Sequence, residues 1–136
     1  MKPNFSGHWV LDREASDFGF LAPATRRVDE IMQEGDAIRI VTQQTDTNGK
    51  TQVERRFVIG GPEVEVIIRN RPRKLRGWWE GDVLVVETAS EVSGNGRRIE
   101  DRWTLDEGSS VVTIQRSHDM PGGNVRQTLV MRGIPA

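Results

Sequence analysis

The sequence contains no cysteine, no tyrosine and only two histidines, His8 and His118. Without cysteine there can be no disulfide, no thiolate nucleophile and no cysteine metal site, and two histidines cannot form a histidine-rich metal centre. A phosphate-binding loop and a serine nucleophile motif are absent as well. We therefore expect no metal and no cofactor, and we expect stability to come from packing.

An excess of charge and a long apolar run are also lacking. The 19 basic and 20 acidic residues leave a formal net charge of −1, so no overall field attracts nucleic acid or an anionic membrane. The first residues contain no apolar signal core, and no stretch of about 18 apolar residues occurs. We expect a cytoplasmic protein without nucleic-acid or membrane partners, although a removed leader would leave no trace.

Glycine, asparagine and proline recur as turn signals about every dozen residues, which is the spacing of consecutive hairpins. Between the turns, apolar side chains alternate with period two, as in strands that bury one face. The predicted strands lie near residues 5–12, 26–33, 37–45, 51–59, 63–69, 73–80, 83–89, 97–105, 111–118 and 125–132. All 136 residues fit one domain, so we place residues 1–136 in a single unit.

Strands in meander order would leave two long edges if the sheet stayed open. Closure removes those edges, which favours an all-β, antiparallel up-and-down barrel of about 8–10 strands over a sandwich. Val83 to Val86 is apolar on both faces, so this strand is central or covered by another segment or subunit. The long connection from Arg13 to Thr25 is apolar enough to be either a lid across a barrel mouth or a loop that covers the core.

The opening Asn4-Phe5-Ser6-Gly7-His8-Trp9-Val10-Leu11 resembles the first strand of the calycin superfamily, which includes lipocalins and fatty-acid-binding proteins. In that superfamily a glycine-x-tryptophan lies at the closed end of the barrel. The resemblance implies a basic residue packed over this tryptophan, and Arg132 is the position that could supply it.

A longer segment, Gly77-Trp78-Trp79-Glu80-Gly81-Asp82-Val83-Leu84-Val85-Val86-Glu87-Thr88, is followed by Arg102-Trp103-Thr104-Leu105. It resembles a bacterial family of small lipocalin-like domains with a tryptophan-x-glycine-aspartate hairpin. That resemblance implies a fold much more than a function.

The chain departs from the fatty-acid-binding branch in two respects. The roughly dozen residues between the first two strands are too few for the branch's helix-turn-helix lid. Its carboxylate-binding arginine-x-tyrosine pair has only a partial counterpart in Arg126-Gln127-Thr128. A fatty-acid carrier is therefore not the first choice.

Several charged residues share the apolar phase of their strands. Arg55, Asp101, Arg116 and His118 alternate with apolar residues and are predicted to face inward, and Glu87 joins them if Val83 and Val85 point inward. Buried charges must pair with one another or line a cavity that holds water or ligand. Internal salt bridges, or charges that reach solvent at strand ends, are the alternative to a functional polar patch. His8, on the opposite face from Trp9, is expected in solvent.

The first functional hypothesis is a binding module for a small, partly apolar or aromatic molecule in the barrel interior. Arg55, Glu87 and Arg116 would supply polar contacts, and Trp79 and Trp103 the walls, although either tryptophan alone is more commonly core packing. The basic run from Arg69 to Arg76 is expected to be a solvated edge and turn.

The second hypothesis is a cofactor-free acid–base enzyme, such as an isomerase, lyase, cyclase or hydrolase. His118 would carry protons, Asp101 or Glu87 would be a general base with a raised pKa, and Arg55 or Arg116 would stabilise an oxyanion. The third is a structural or assembly domain, for which the two-sided strand Val83 to Val86 suggests a homodimer.

Overall fold

The computed structural model describes residues 2–19, 25–47, 49–90, 98–120 and 123–134. These ranges contain strands and turns and no helix, so none of them includes a helix that could span a membrane. The strands are β1 (Gly7–Leu11), β2 (Arg26–Glu34), β3 (Ala37–Asp46), β4 (Gly49–Val58), β5 (Val64–Ile68), β6 (Arg71–Glu80), β7 (Val83–Ser90), β8 (Arg98–Leu105), β9 (Val111–Met120) and β10 (Gly123–Ile134).

All ten strands belong to one antiparallel sheet in the order β4-β3-β2-β1-β10-β9-β8-β7-β6-β5. The first and last strands of the chain pair with each other, and the sheet edges are β4 and β5. These two edges contact each other without a hydrogen-bonded ladder, and we call the boundary between them the seam. The predicted antiparallel up-and-down barrel, nearly closed, is thus confirmed.

Tight two-residue turns set the register of several hairpins. Gly35 and Gly81 both have φ of 60°, a left-handed conformation that glycine adopts at little steric cost. At the β5–β6 turn the two central residues are Arg69 and Asn70, with φ of 52° and 63°. Strand β6 therefore begins at Arg71, two residues before its predicted start, and includes Pro72.

The barrel interior is apolar at one end and charged at the other. The apolar end is the one where β2–β3 and β6–β7 turn, and Trp9 donates its Nε1–H to the carbonyl of Phe5 there at 2.9 Å. The core at this end and the middle of the barrel includes Phe5, Trp9, Ile31, Ile38, Ile40, Phe57, Leu75, Leu84, Trp103, Val112, Ile114 and Met131. The opposite end carries the charged inward positions of β2, β4, β6, β8 and β9.

Strand β7 shows why the phase of Val83 to Val86 could not be read from sequence. Leu84 and Val86 face the core, whereas Val85 is 0% exposed on the outer face. Its cross-strand neighbours there are Trp78 and Arg102, whose large side chains can cover it. Burial of Val85 therefore requires no second subunit.

The outer face holds two residues for which the sequence made a prediction. His8 is exposed, as expected, and its Nε2 lies 3.7 Å from Glu30. The prediction that Arg132 packs over Trp9 is wrong. Arg132 is paired with Val10 on the outer face and donates to Asp12 at 2.6 Å, whereas Gly133 lies opposite Trp9.

Candidate functional site

A cavity of about 380 Å³ occupies the charged end of the barrel. Its lining mixes apolar side chains, hydroxyls, amides and charges, which is typical of sites for small organic ligands. The lining residues are Arg27, Thr42, Gln44, Thr51, Val53, Arg55, Ile68, Arg69, Arg73, Thr88, Ile99, Asp101, Arg116 and His118.

Arg116 and Asp101 form a two-pronged ion pair in the wall of this cavity. They lie opposite each other on β9 and β8, and Arg116 donates from Nε and Nη2 to the two carboxylate oxygens at 2.8 and 3.0 Å. Burial would raise the pKa of Asp101, but the charge and hydrogen bonds of Arg116, with the charges of Arg55 and Arg27, hold that pKa below its ordinary 3.8.

The predicted general-base role of Asp101 is therefore corrected. A carboxylate with a lowered pKa, both of whose oxygens accept from a guanidinium, is a poor proton acceptor near neutral pH. His118 does line the cavity on the same inner face, one inward position beyond Arg116 and opposite Ile99. Asp101 and His118 are therefore diagonal neighbours on β8 and β9, and strand geometry places such residues about 7–8 Å apart.

Two further arginines of the cavity are paired with acids. Arg27 donates to both oxygens of Asp29 at 3.0 and 2.9 Å, and Asp29 is 0% exposed. Arg69 donates to Asp46 at 3.2 Å near the rim. These pairs satisfy the charge of both guanidinium groups within the barrel wall.

Arg55 and Arg73 differ from the other cavity arginines. Their Nε atoms are buried and have no hydrogen-bond partner among the described residues, and the Oγ1 of Thr42 shares this property. Burial, and then the charge of Arg27, lowers the pKa of Arg55 to about 10, so it remains a cation at neutral pH. The cavity thus holds two arginines and a threonine whose buried Nε and Oγ1 atoms lack hydrogen-bond partners in the described part of the barrel.

The two tryptophans predicted as cavity walls lie elsewhere. Trp79 stacks on Phe5 with ring centroids 6.3 Å apart, and Trp103 meets Phe5 edge-on at 6.1 Å. Neither lines the 380 Å³ cavity. Both tryptophans pack in the core, which was the alternative prediction for each of them. The reason is that their positions on β6 and β8 lie at the apolar end of the barrel.

Glu87 also lies outside the cavity. The condition that Val83 and Val85 point inward fails, so Glu87 is on the outer face, where it pairs with Arg76 at 3.3 Å and Arg98 at 3.7 Å. Its predicted interior contact is therefore wrong.

The loop after β1 runs along β10 towards the charged end. Asp17 and Thr128 exchange backbone hydrogen bonds of 2.8 and 2.7 Å, and Phe18 packs against the core. Gln127 donates to the carbonyl of Phe18 at 3.0 Å, while Arg126 is exposed on the outer face. The other apolar residues of the predicted lid, Phe20, Leu21 and Pro23, lie outside the described residues.

Sequence reasoning missed Arg27, Asp29 and Arg73 as interior residues. Two apolar residues of β2, Ile31 and Met32, are adjacent, so its phase was ambiguous. On β6 the buried Leu75 marks the inward phase that includes Arg73, but the surrounding basic run suggested a solvated edge. Alternation counted from Leu75 is the signal that could have found Arg73.

A second, larger depression of about 1070 Å³ lies at the apolar end and is far more open. It includes outward side chains of β2, β3 and β4, among them Met32, Arg39 and Val58. We regard the smaller cavity as the candidate site because it is the one inside the barrel and the one with unsatisfied polar groups.

No protein-family model matches the sequence, and no curated protein matches it either. Solved structures do match in fold. A zebrafish ileal bile acid-binding protein complexed with cholic acid is 15% identical, with a TM-score of 0.67 over 96% of this chain and 98% of that one. Lipid binding protein 8 of Caenorhabditis elegans is 13% identical, with a TM-score of 0.70 over 96% and 95%.

A secretory abundant heat soluble protein from Ramazzottius varieornatus is 16% identical, with a TM-score of 0.70 over 95% of this chain and 94% of that one. At these identities the likeness concerns the fold. It confirms the antiparallel up-and-down barrel fold and leaves the bacterial tryptophan-x-glycine-aspartate family a hypothesis.

Proposed function

We propose that this protein binds a small, partly apolar organic molecule in the interior cavity of the barrel. The observation that carries the proposal is the 380 Å³ cavity itself, which has room for about a dozen water-sized groups. A ligand of about ten to fifteen non-hydrogen atoms would fill that volume.

The lining supports a ligand with both apolar and polar parts. Val53, Ile68 and Ile99 offer apolar contacts, and Thr42 offers a hydroxyl without a partner among the described residues. By their names, two of the barrels of the same fold bind bile acid or lipid. Both carboxylate oxygens of Asp101 accept hydrogen bonds from Arg116, which makes Asp101 a poor proton acceptor and favours a binding function over acid–base catalysis.

Filling the cavity provides the test. We expect Val53→Trp, on the inner face of β4, to lower affinity at least tenfold for compounds that wild-type protein binds in calorimetric titrations. The panel should contain aromatic alcohols, amides and acids of about ten to fifteen non-hydrogen atoms. Fluorescence of the native tryptophans is less suitable, because Trp79 and Trp103 do not line the cavity.

Val58→Trp is the matched control, since Val58 lies on the outer face of the same strand and borders the open depression. It should bind as wild type does. Loss of affinity in Val58→Trp alone would move the ligand to the outer depression, and no saturable binding across the panel would contradict the proposed function.

A further inference from the structure

The charges around the cavity do not balance. Five lining residues are arginines, and three of them pair with an aspartate: Arg27 with Asp29, Arg69 with Asp46, and Arg116 with Asp101. Arg55 and Arg73 remain, each with a buried Nε that has no partner in the described part of the chain. Among the described residues, five cations against three anions leave an excess of two positive charges.

Such an excess is costly for the barrel alone. A guanidinium cannot escape the cost of burial by losing its proton near neutral pH, and a buried cation without a partner forfeits its hydration. The nearby aspartates compensate only in part: the charges of Asp101 and Asp29 favour the Arg55 cation, but their carboxylates pair with Arg116 and Arg27. An anion from outside the barrel would supply the missing charge and the missing acceptors.

We propose that the ligand is an organic acid whose carboxylate is bound by Arg55 and Arg73, with the hydroxyl of Thr42 as a further polar contact. This inference rests on the proposed function and specifies its ligand class. The planar fork of an arginine side chain matches the two oxygens of a carboxylate, and such charge-assisted hydrogen bonds are about twice as strong as neutral ones.

The position of this carboxylate site follows from the strands that carry it. Arg55 is on β4 and Arg73 on β6, so the two cations come from the two sides of the seam. Arg126 takes no part, because it is exposed on the outer face of β10. An acid bound to both arginines would therefore join β4, one edge of the sheet, to β6, the neighbour of the other edge strand β5, across the seam where no strand ladder runs.

The cavity volume limits the rest of the ligand. At 380 Å³, the cavity accommodates a compact acid with one or two rings or a short branched chain, with Val53 and Ile99 against its apolar part. 2-Naphthoate and 2-naphthamide form a suitable pair of probes, because they have the same shape and number of non-hydrogen atoms but differ in charge.

The experiment compares these two probes by calorimetric titration. We expect wild-type protein to bind 2-naphthoate at least tenfold more tightly than 2-naphthamide, and added salt to reduce that ratio by screening. Arg55→Met and Arg73→Met should each bring the ratio close to one while leaving the affinity for 2-naphthamide within about threefold of wild type. Arg56→Met, which removes a charge from the outer face of β4, should keep the wild-type ratio.

Each outcome decides a different point. Equal affinities of wild-type protein for the two probes would overturn the carboxylate site and leave the proposed function intact, whereas failure of both to bind would count against the proposed function too. A ratio that survives in both Arg55→Met and Arg73→Met would place the acid elsewhere. The ratio of the two affinities in wild-type protein tests the carboxylate site even if a variant does not fold.

Discussion

Individual arginines in this barrel are expected to differ in what they contribute to stability. The charge of Arg116 is matched by Asp101, whereas Arg55 lies near both the Arg116–Asp101 and Arg27–Asp29 pairs without an acid of its own. Removing one partner of a buried pair leaves an uncompensated charge, whereas removing an unmatched cation eliminates one. Replacing arginine by an uncharged residue should therefore change the free energy of unfolding in opposite directions at the two positions.

We expect Arg116→Met to lower the free energy of unfolding by about 3–5 kcal/mol, because Asp101 loses its buried partner. In the absence of ligand, Arg55→Met should leave that free energy unchanged or raise it. Urea unfolding followed by tryptophan fluorescence measures both, and Arg56→Met is the control for loss of a positive charge on β4. Equal destabilisation by Arg116→Met and Arg55→Met would show that Arg55 has an acidic partner after all.

The lowered pKa of Asp101 also predicts how stability depends on pH. Its folded-state pKa lies below the ordinary 3.8, so between these values the unfolded chain binds more protons than the native one. The stability from Asp101 is thus complete above about pH 5 and is lost as the pH falls through 3.8 towards the folded-state pKa.

Urea midpoints measured from pH 2.5 to 6 check this prediction with Asp101→Asn. The variant should be less stable than wild type at pH 6, and its acid limb should be shallower, so that the two curves approach each other at low pH. A wild-type loss of stability as the pH rises from about 4 to 6 that Asp101→Asn removes would instead indicate the raised pKa of a general base.

At the scale of the strands, the turn pattern and the alternation predicted nearly all positions but not every phase. The inner face carries four residues as predicted: Arg55, Asp101, Arg116 and His118. Each lies an even number of positions from a buried apolar residue of its own strand. Alternation did not identify the inner face of β7, because Val85 is an apolar residue on the outer face that its neighbours' side chains cover. Alternation reports a face only where the other face is polar.

The seam is the element-scale feature that the sequence did not reveal. Turn signals show where strands end, but they do not show which consecutive strands lack a ladder. At the seam, Gly60 donates to the carbonyl of Gly77 at 2.8 Å, and Phe57 packs on Gly77. Thus β6 approaches β4 closely at a residue without a side chain.

We expect Gly77→Ala to destabilise the fold by about 1–3 kcal/mol, the usual cost of overpacking. A Cβ at this position would lie 2.5 Å from Cε2 of Phe57, so the ring would have to move. Gly108→Ala is the matched control, because its Cβ would meet only ordinary contacts of 3.8 Å. Thermal unfolding compares the two, and wild-type stability of Gly77→Ala would mean that Phe57 has room to shift.

The net charge of the whole molecule differs in sign from the charge around its cavity. The chain as a whole has a formal net charge of −1, whereas the cavity has two more arginines than paired aspartates. The overall balance argues against a general electrostatic field and reveals nothing about the site. The excess became visible only when the register placed Arg27, Arg73 and their neighbours on one face.

The pairing of β1 with β10 also bears on how the chain folds. Gly7–Leu11 and Gly123–Ile134 are the most distant strands in sequence, and His8 lies directly opposite Ile134. Every other ladder joins consecutive strands, so this single pairing closes much the longest loop of the fold. Read from β5 through β10 and on from β1 to β4, the strands follow their spatial order from edge to edge. A circular permutant that begins at β5 and joins β10 to β1 would therefore contain only ladders between consecutive strands, and the contacts across the seam would become the most distant in its sequence.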